Sequence, residues 1–381
     1  TTEKLLDFIE KSPTAFQAVD EMQKRLTENG FEVLSEKEYW KLVPGGKYLV
    51  TRNNSALIAF CIPEKESRVF HIMASHSDSP SFKIKENPEI KVDNSYVKLN
   101  VEKYGGMLMA PWFDRPLSVA GRVIIRRNDG LEEKLVDIKR DLVMIPNLAI
   151  HMNREANNGV AYNPQKDLQP LFAAGNTDRT LLEIIAEQTG VKKEDIISHD
   201  LFLYNRMLGT IWGADKEFVS SARLDDLQCA FASMEGLLRA QNHGSIAVHC
   251  VMDTLAGSFM VSADNAHALH PNYTDKTDPT NHPVLNKGIV IKFNANQKYC
   301  TDAVSAAIFK ELCTKAGVPY QTFVNRSDIA GGSTLGNISN TQVPMNTVDI
   351  GLPQLAMHSP YETAGVKDTE YLVRAAEELF A

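Results

Sequence analysis

This sequence has no membrane-length apolar run, no cysteine framework and no surplus of positive charge. Nowhere do about 18 consecutive apolar residues occur, and the first ten residues show no basic stretch followed by an apolar one. The five cysteines, at 61, 229, 250, 300 and 313, are odd in number, widely scattered and never spaced Cys-x-x-Cys. That excludes a disulfide scaffold and a zinc knuckle, and it fits a reducing compartment. A cytoplasmic location is therefore expected. With 40 Lys and Arg against 48 Asp and Glu the net charge is −8, which gives no general attraction to nucleic acid or to an anionic membrane. No internal repeat or low-complexity tract is evident.

What is present is an ordinary globular composition. At 43% hydrophobic over 381 residues, the chain can bury at least one large core and is expected to form two domains. Ser12-Pro13-Thr14 separates two short N-terminal helices, the second with Phe16, Val19, Met22 and Leu26 on one face. Apolar runs at 57–60 and 69–74 read as strands, the latter ending just before Ser75-His76. From about 83 to 212 the pattern changes to alternating strands, such as Ile90-Lys91-Val92 and 122–125, with turns at Gly105-Gly106 and Asn128-Asp129-Gly130. A helix near 181–189 is stopped there by Gly190. After Ser220 helices and strands alternate again, and Leu227, Ala230, Phe231, Met234, Leu237 and Leu238 line one helical face. The expected organisation is an α/β domain made of 1–82 and 213–381, interrupted by a β-rich domain over 83–212.

Four places carry residues suited to metal chemistry, each at the end of a predicted element. In His76-Ser77-Asp78, the carboxylate two residues on can hydrogen-bond the imidazole and set its tautomer. Asp225 and Asp226 open the amphipathic helix, where helix capping is the simpler explanation. Asp264 follows the strand-like Phe259-Met260-Val261, and His358 follows a largely apolar stretch from 348 to 356. Singly each is weak. Together, imidazoles and a carboxylate able to bridge two cations favour a hydrolytic metal site.

The motifs Ala74-Ser75-His76-Ser77-Asp78-Ser79-Pro80, Trp112-Phe113-Asp114-Arg115, Leu148-Ala149-Ile150-His151, Ser221-Ala222-Arg223-Leu224-Asp225-Asp226 and Ser262-Ala263-Asp264, with Met357-His358-Ser359, make this chain resemble the aspartyl aminopeptidase family of dizinc exopeptidases across nearly its whole length. The resemblance implies a mixed-sheet α/β/α catalytic domain with an inserted β-rich dimerisation domain. It also implies two Zn²⁺ per subunit, with Co²⁺ or Mn²⁺ as alternatives. His76 and Asp264 would ligate one zinc, His358 the other, and Asp225 would bridge. Asp78 would orient His76. His151 would reach a neighbouring subunit's active site, in a tetrahedral dodecamer that cleaves the N-terminal residue from peptides. Lys292 matches the position associated with an acidic substrate side chain, although an outward-facing lysine on a strand explains it equally well.

One expected feature is missing. The clan needs adjacent glutamates, one as proton acceptor and one as ligand of the second zinc, after the strand at 246–252. Here Asp253 runs directly into Thr254-Leu255-Ala256-Gly257-Ser258-Phe259. If the flanking strands are parallel, their crossover needs a dozen or more residues; a hairpin would put Asp253 and Asp264 at opposite ends of the sheet. A segment holding the glutamates is expected to be absent from this sequence, either truly deleted or left out of it; an intact mass near 42.4 kDa would exclude the second alternative, and one several kDa higher would support it. Deacylation of N-acyl amino acids, or a non-catalytic oligomeric binding role, are the competing readings.

Overall fold

The computed structural model describes all residues except 129, 242–243, 252–258, 279, 295–297, 302, 326–331, 333, 335 and 337–345. Asp253 and the connector that follows it therefore lie outside the described residues, as does Asp129 of the Asn-Asp-Gly turn. The chain divides into two compact units, one formed by Thr1–Asp78, Gly209–Met357 and Glu362–Ala381, the other by Ser79–Leu208 and His358–Tyr361.

The first unit opens with α1 (Thr2–Glu10) and α2 (Ala15–Glu28), separated by Ser12-Pro13-Thr14 as their spacing predicts. Leu5, Phe8 and Ile9 of α1 and Val19, Met22 and Leu26 of α2 recur every three or four residues, and all are buried in one core. Strands β1 (Glu32–Val33), β2 (Lys47–Arg52), β3 (Ala56–Cys61) and β4 (Phe70–Ser75) follow.

The second unit is a six-stranded antiparallel sheet built from β5 (Ser81–Val92), β6 (Tyr96–Tyr104), β7 (Leu117–Arg127), β8 (Gly130–Asp137), β9 (Leu171–Ala174) and β10 (Ile196–Asn205) in the order β8-β7-β10-β5-β6-β9. Two helices lie between β8 and β10, the short α3 (Pro164–Asp167) and α4 (Leu181–Thr189). A capping box of Thr180 and Glu183 starts α4, and Gly190 at φ +68° ends it, as the sequence pattern indicates. Its core is separate, with Phe82, Leu99, Trp112, Val119, Val123 and Leu201 at the centre.

The first unit then resumes with β11 (Thr210–Trp212), β12 (Phe218–Ser221), α5 (Leu224–Arg239), β13 (Ile246–Val251), β14 (Phe259–Ala263), β15 (Ala266–His267), β16 (Ile289–Phe293), α6 (Ala303–Ala316), β17 (Tyr320–Val324), β18 (Asn346–Gly351), β19 (Pro353–Leu355), β20 (Glu362–Gly365) and α7 (Asp368–Phe380). A nine-stranded mixed sheet runs β1-β2-β3-β13-β4-β14-β18-β16-β17. Its centre, β13, β4, β14 and β18, is parallel throughout, so four C-terminal strand ends share one edge. This overturns the hairpin alternative: β13 and β14 both run parallel to β4, one on each side. A five-stranded sheet, β11-β12-β20-β19-β15, completes the unit.

Helix α5 packs against β4, β13 and α7, and one consequence is testable. His249 of β13 is fully buried; its Nδ1 pairs with the Ser233 hydroxyl of α5 at 2.8 Å, while Nε2 has no hydrogen-bond partner among the described residues. Burial pushes its pKa down to about 3. The folded value lies below the unfolded one of about 6.5, so the contribution is intact above that pH and is lost as pH falls toward 3. Between pH 7.5 and 5 this should cost about 2 kcal/mol. Urea unfolding at the two pH values should show His249→Asn losing about 2 kcal/mol less than the parent; equal losses would refute the assignment.

Candidate metal centre

The edge where the parallel strands end positions the candidate ligands. Strands β4 and β14 are paired in parallel with Ala74 opposite Ser262, so the residues that leave them, His76 and Asp264, emerge side by side. The third donor comes from the start of α5. Arg223 has a left-handed φ of +58°, and Asp225 (φ −85°, ψ 109°) and Asp226 (φ −119°, ψ 21°) depart from helical geometry. Arg223, the residue at the N-cap of α5, makes no side-chain capping bond. The Asp225 amide donates to the Glu362 carboxylate at 3.0 Å, fastening the turn to β20.

The donor atoms of His76, Asp225 and Asp264 lie within 4.8 Å of one another, the one such group of three among the described residues. Nε2 of His76 is 3.8 Å from Asp225 Oδ1 and 3.9 Å from Asp264 Oδ1. On the other side of the ring, Nδ1 is 3.3 Å from the Asp78 carboxylate and 3.1 Å from its backbone carbonyl. Asp78 thus holds the proton on Nδ1 and turns the Nε2 lone pair toward the two aspartates. The His76 amide donates to Oδ2 of the fully buried Asp226 carboxylate at 3.2 Å. Burial disfavours a charged imidazole, but Asp78 and the carboxylates of Asp226, Asp225 and Asp264 outweigh it and hold the His76 pKa well above its usual range. Burial likewise raises the Asp226 and Asp264 carboxyls, against the pull of His76 on the first and Lys292 on the second.

Lys292 of β16 is 3% exposed, so it is not an outward strand lysine. Its ammonium lies 3.7 Å from Asp264 Oδ2, donates to the Asn265 carbonyl at 2.9 Å and sits 5.5 Å from the Tyr299 ring centroid. It offsets the charge of a candidate ligand and fixes the turn that carries it. Asn265, which the sequence reading passed over, ties that turn to α5 through the Leu224 carbonyl at 3.2 Å. No local pattern marks such a residue; only the meeting of β14 with α5 makes it matter. His151 and His358 belong to the second unit. His151 sits in an exposed loop whose neighbours Leu148, Ile150 and Met152 are exposed. His358 has φ +65° and its carbonyl accepts the Leu108 amide at 3.2 Å.

The sequence matches the family described as Aminopeptidase I zinc metalloprotease (M18) over residues 8–256 and again over 249–380. The chain belongs to the M18 aminopeptidases. A "Probable M18 family aminopeptidase 2" of Clostridium acetobutylicum is 43% identical over 422 aligned positions, covering 99% of this chain and 98% of the relative. Among solved structures, the complex of Ape4 with Nbr1 superposes with a TM-score of 0.95 at 33% identity, covering all of this chain and 85% of the other. The S. cerevisiae mApe1 dodecamer gives 0.84 at 25% identity, covering all of this chain and 96% of the other. The M18 assignment brings with it the mixed α/β dizinc-exopeptidase fold and a zinc cofactor.

The donor set suits one zinc ion. One imidazole and two carboxylates are a catalytic-type trio that leaves a further coordination position open. The fully buried Asp226 carboxylate and the buried Lys292 show a pocket arranged around charge rather than around packing.

Proposed function

We propose that this M18 aminopeptidase removes the N-terminal residue from free peptides at a zinc ion held by His76, Asp225 and Asp264. The observation that carries the reading is the 4.8 Å convergence of those three donors at the parallel-strand edge. When bound, zinc supplies Lewis-acid polarisation and a low-pKa water. The chain's own residues do the positioning. Asp78 fixes the His76 tautomer, Asp226 holds the His76 backbone, Glu362 holds that of Asp225, and Lys292 keeps Asp264 compensated.

Preference for an acidic N-terminal residue takes its support from the family resemblance, because Lys292 is engaged with Asp264 and Asn265. The resemblance also implies a second zinc bridged by Asp225 and ligated by His358, together with a glutamate that this sequence does not supply. Assembly as a homo-oligomer, a dodecamer by analogy with the mApe1 structure, is supported by the exposed apolar side chains around His151, at 49% for Ile150 and 75% for Met152. In that assembly His151 would serve a neighbouring copy's site. A cytoplasmic location is consistent with there being no helix, among the described residues, long and apolar enough to cross a membrane.

The test is hydrolysis of aminoacyl substrates with N-terminal Asp, Glu, Ala and Leu beside N-acylated counterparts, with zinc present. Release from the free-amine substrates alone is expected, since an aminopeptidase needs the α-amine. Turnover of the N-acyl series would instead make the chain a deacylase. Stoichiometric zinc with no turnover of either series would favour a binding protein.

A further inference from the structure

Two asparagines of this chain are followed by glycine, Asn29 before Gly30 and Asn158 before Gly159. That pairing has a chemistry of its own. A peptide nitrogen can attack the side-chain carbonyl carbon of the asparagine before it, and glycine permits the approach because it has no Cβ in the way and turns freely. The attack then depends on how firmly the fold holds the two groups. At Asn29 it holds both. Asn29 ends α2 with φ −103° and ψ 20°, and its Nδ2 donates to the Arg25 carbonyl at 2.8 Å. The Gly30 amide donates to the Thr27 carbonyl at 3.1 Å, and the Phe31 amide donates to the Leu26 carbonyl at 3.1 Å. The nucleophile is engaged, and this peptide cannot rotate without unravelling the helix end.

At Asn158 the fold holds little. Asn158 and Gly159 are both exposed, in the loop of the second unit that also carries His151. The side-chain amide of Asn158 donates to the Glu155 carboxylate, itself an exposed group. The Gly159 amide has no hydrogen-bond partner among the described residues, and nothing lies within 4 Å of the place a Cβ would occupy. The nucleophile is therefore free to turn toward the carbon it would attack.

We propose that Asn158-Gly159 is a site of self-modification, at which the Gly159 nitrogen converts Asn158 to aspartate and isoaspartate and the change opens the loop that carries His151. In the first step a bond forms between the Gly159 nitrogen and Cγ of Asn158. The Cγ–Nδ2 bond breaks, and Nδ2 leaves as ammonia with the proton that Gly159 gives up. Water then opens the cyclic imide. Opening at Cγ leaves aspartate, and opening at the main-chain carbonyl carbon leaves isoaspartate, whose backbone runs through Cβ and Cγ. The sum is amide plus water giving carboxylate and ammonium, with no change of oxidation state. Either product puts a carboxylate where an amide had donated to Glu155, and like charges so close repel. The turn they share is the last of a run, in which the Met152 amide donates to Ala149 at 2.8 Å, Ala156 to Asn153 at 3.1 Å and Asn158 to Glu155 at 2.9 Å. Loss of its final member frees the segment that holds His151.

The experiment follows both asparagines in the whole protein. Folded chain is held in warm, mildly alkaline buffer, sampled over days and digested. Peptide masses report replacement of each amide by an acid, and an isoaspartyl methyltransferase labels the isoaspartate. Asn158 should convert roughly tenfold or more faster than Asn29, the factor set by breaking the two hydrogen bonds that hold Asn29 and Gly30. In guanidinium chloride, which removes the fold, the two rates should come together. Equal rates in the folded protein overturn the assignment. Rates that stay apart in guanidinium would place the difference in neighbouring sequence rather than in the fold, and overturn it equally. Loop opening is read by trypsin cleavage after Arg154, an exposed residue of the same loop. Cleavage should be faster in converted protein and in Asn158→Asp than in fresh protein and in Asn158→Gln, which retains an amide. Converted protein cut no faster than fresh protein refutes the opening. Neither measurement uses metal or hydrolysis, so failure here leaves the zinc-site reading untouched.

Discussion

Asp225→Asn is expected to abolish tight zinc binding without lowering the unfolding temperature of the metal-free protein, whereas Asp264→Ala should do both. The difference comes from what each carboxylate faces. Asp225 is buried beside Asp226 and Asp264, so its charge adds to a like-charged cluster, and its structural tie to Glu362 is made by the backbone amide, which Asn retains. Removing that charge relieves repulsion from the two aspartates, which offsets the lost attraction to His76, while deleting a candidate ligand. Asp264 instead compensates Lys292, which is 3% exposed with its ammonium 3.7 Å away. Deleting one partner of a buried pair costs about 3–5 kcal/mol because the other charge is stranded. For both variants zinc affinity should fall by more than the roughly 10–100-fold typical of an outer partner. In the parent, zinc at a thousand times its Kd should stabilise by about 4.1 kcal/mol, and neither variant should show this at the same concentration. Thermal unfolding with and without zinc measures all four quantities. An Asp264→Ala chain as stable as Asp225→Asn when metal-free would show that the Lys292 pair contributes nothing.

The sequence makes local periodicity legible, and non-local pairing hides the remainder. Helices α1, α2 and α4 and strands β3 and β4 stand where spacing and punctuation put them, because their apolar faces point to one core. His76, Asp225 and Asp264 were recognisable as residues at element ends, but their convergence depends on β4 and β14 being neighbours, which no local pattern specifies. The surroundings of Lys292 were hidden for the same reason. Lys292 has the local signature of an exposed strand residue, yet Asp264, Asn265 and Tyr299 enclose it. Asp225 and Asp226 stand in the first turn of α5, where the pattern puts them, but with non-helical dihedral angles that no local pattern specifies. The parallel course of β13 and β14 was visible only as an alternative to a hairpin, since direction is set by pairing with β4.

Gly351→Ala should weaken zinc binding although Gly351 contributes no donor atom. It ends β18 beside β14, where the Asp264 amide donates to the Ile350 carbonyl at 3.1 Å. A Cβ at this position would lie 2.1 Å from the Asp264 carbonyl oxygen and 3.0 Å from the Asp264 and Asn265 carbonyl carbons. These are backbone atoms between two packed strands, so no rotamer change gives relief and the peptide carrying the ligand must move. Overpacking of this kind costs about 1–3 kcal/mol or more. The displaced carboxylate should reduce zinc affinity roughly 10–100-fold, the scale seen when a ligand's support is lost. Gly190→Ala is the matched control. That glycine has φ +68° and nothing within 4 Å of its added Cβ, so the substitution should cost about 1 kcal/mol from backbone conformation alone. It should leave zinc affinity unchanged, because α4 belongs to the second unit, whereas His76, Asp225 and Asp264 belong to the first. Chemical unfolding and metal titration of both variants separate the effects. Equal zinc affinity in Gly351→Ala and the parent would mean that the β14 turn absorbs the shift before it reaches Asp264.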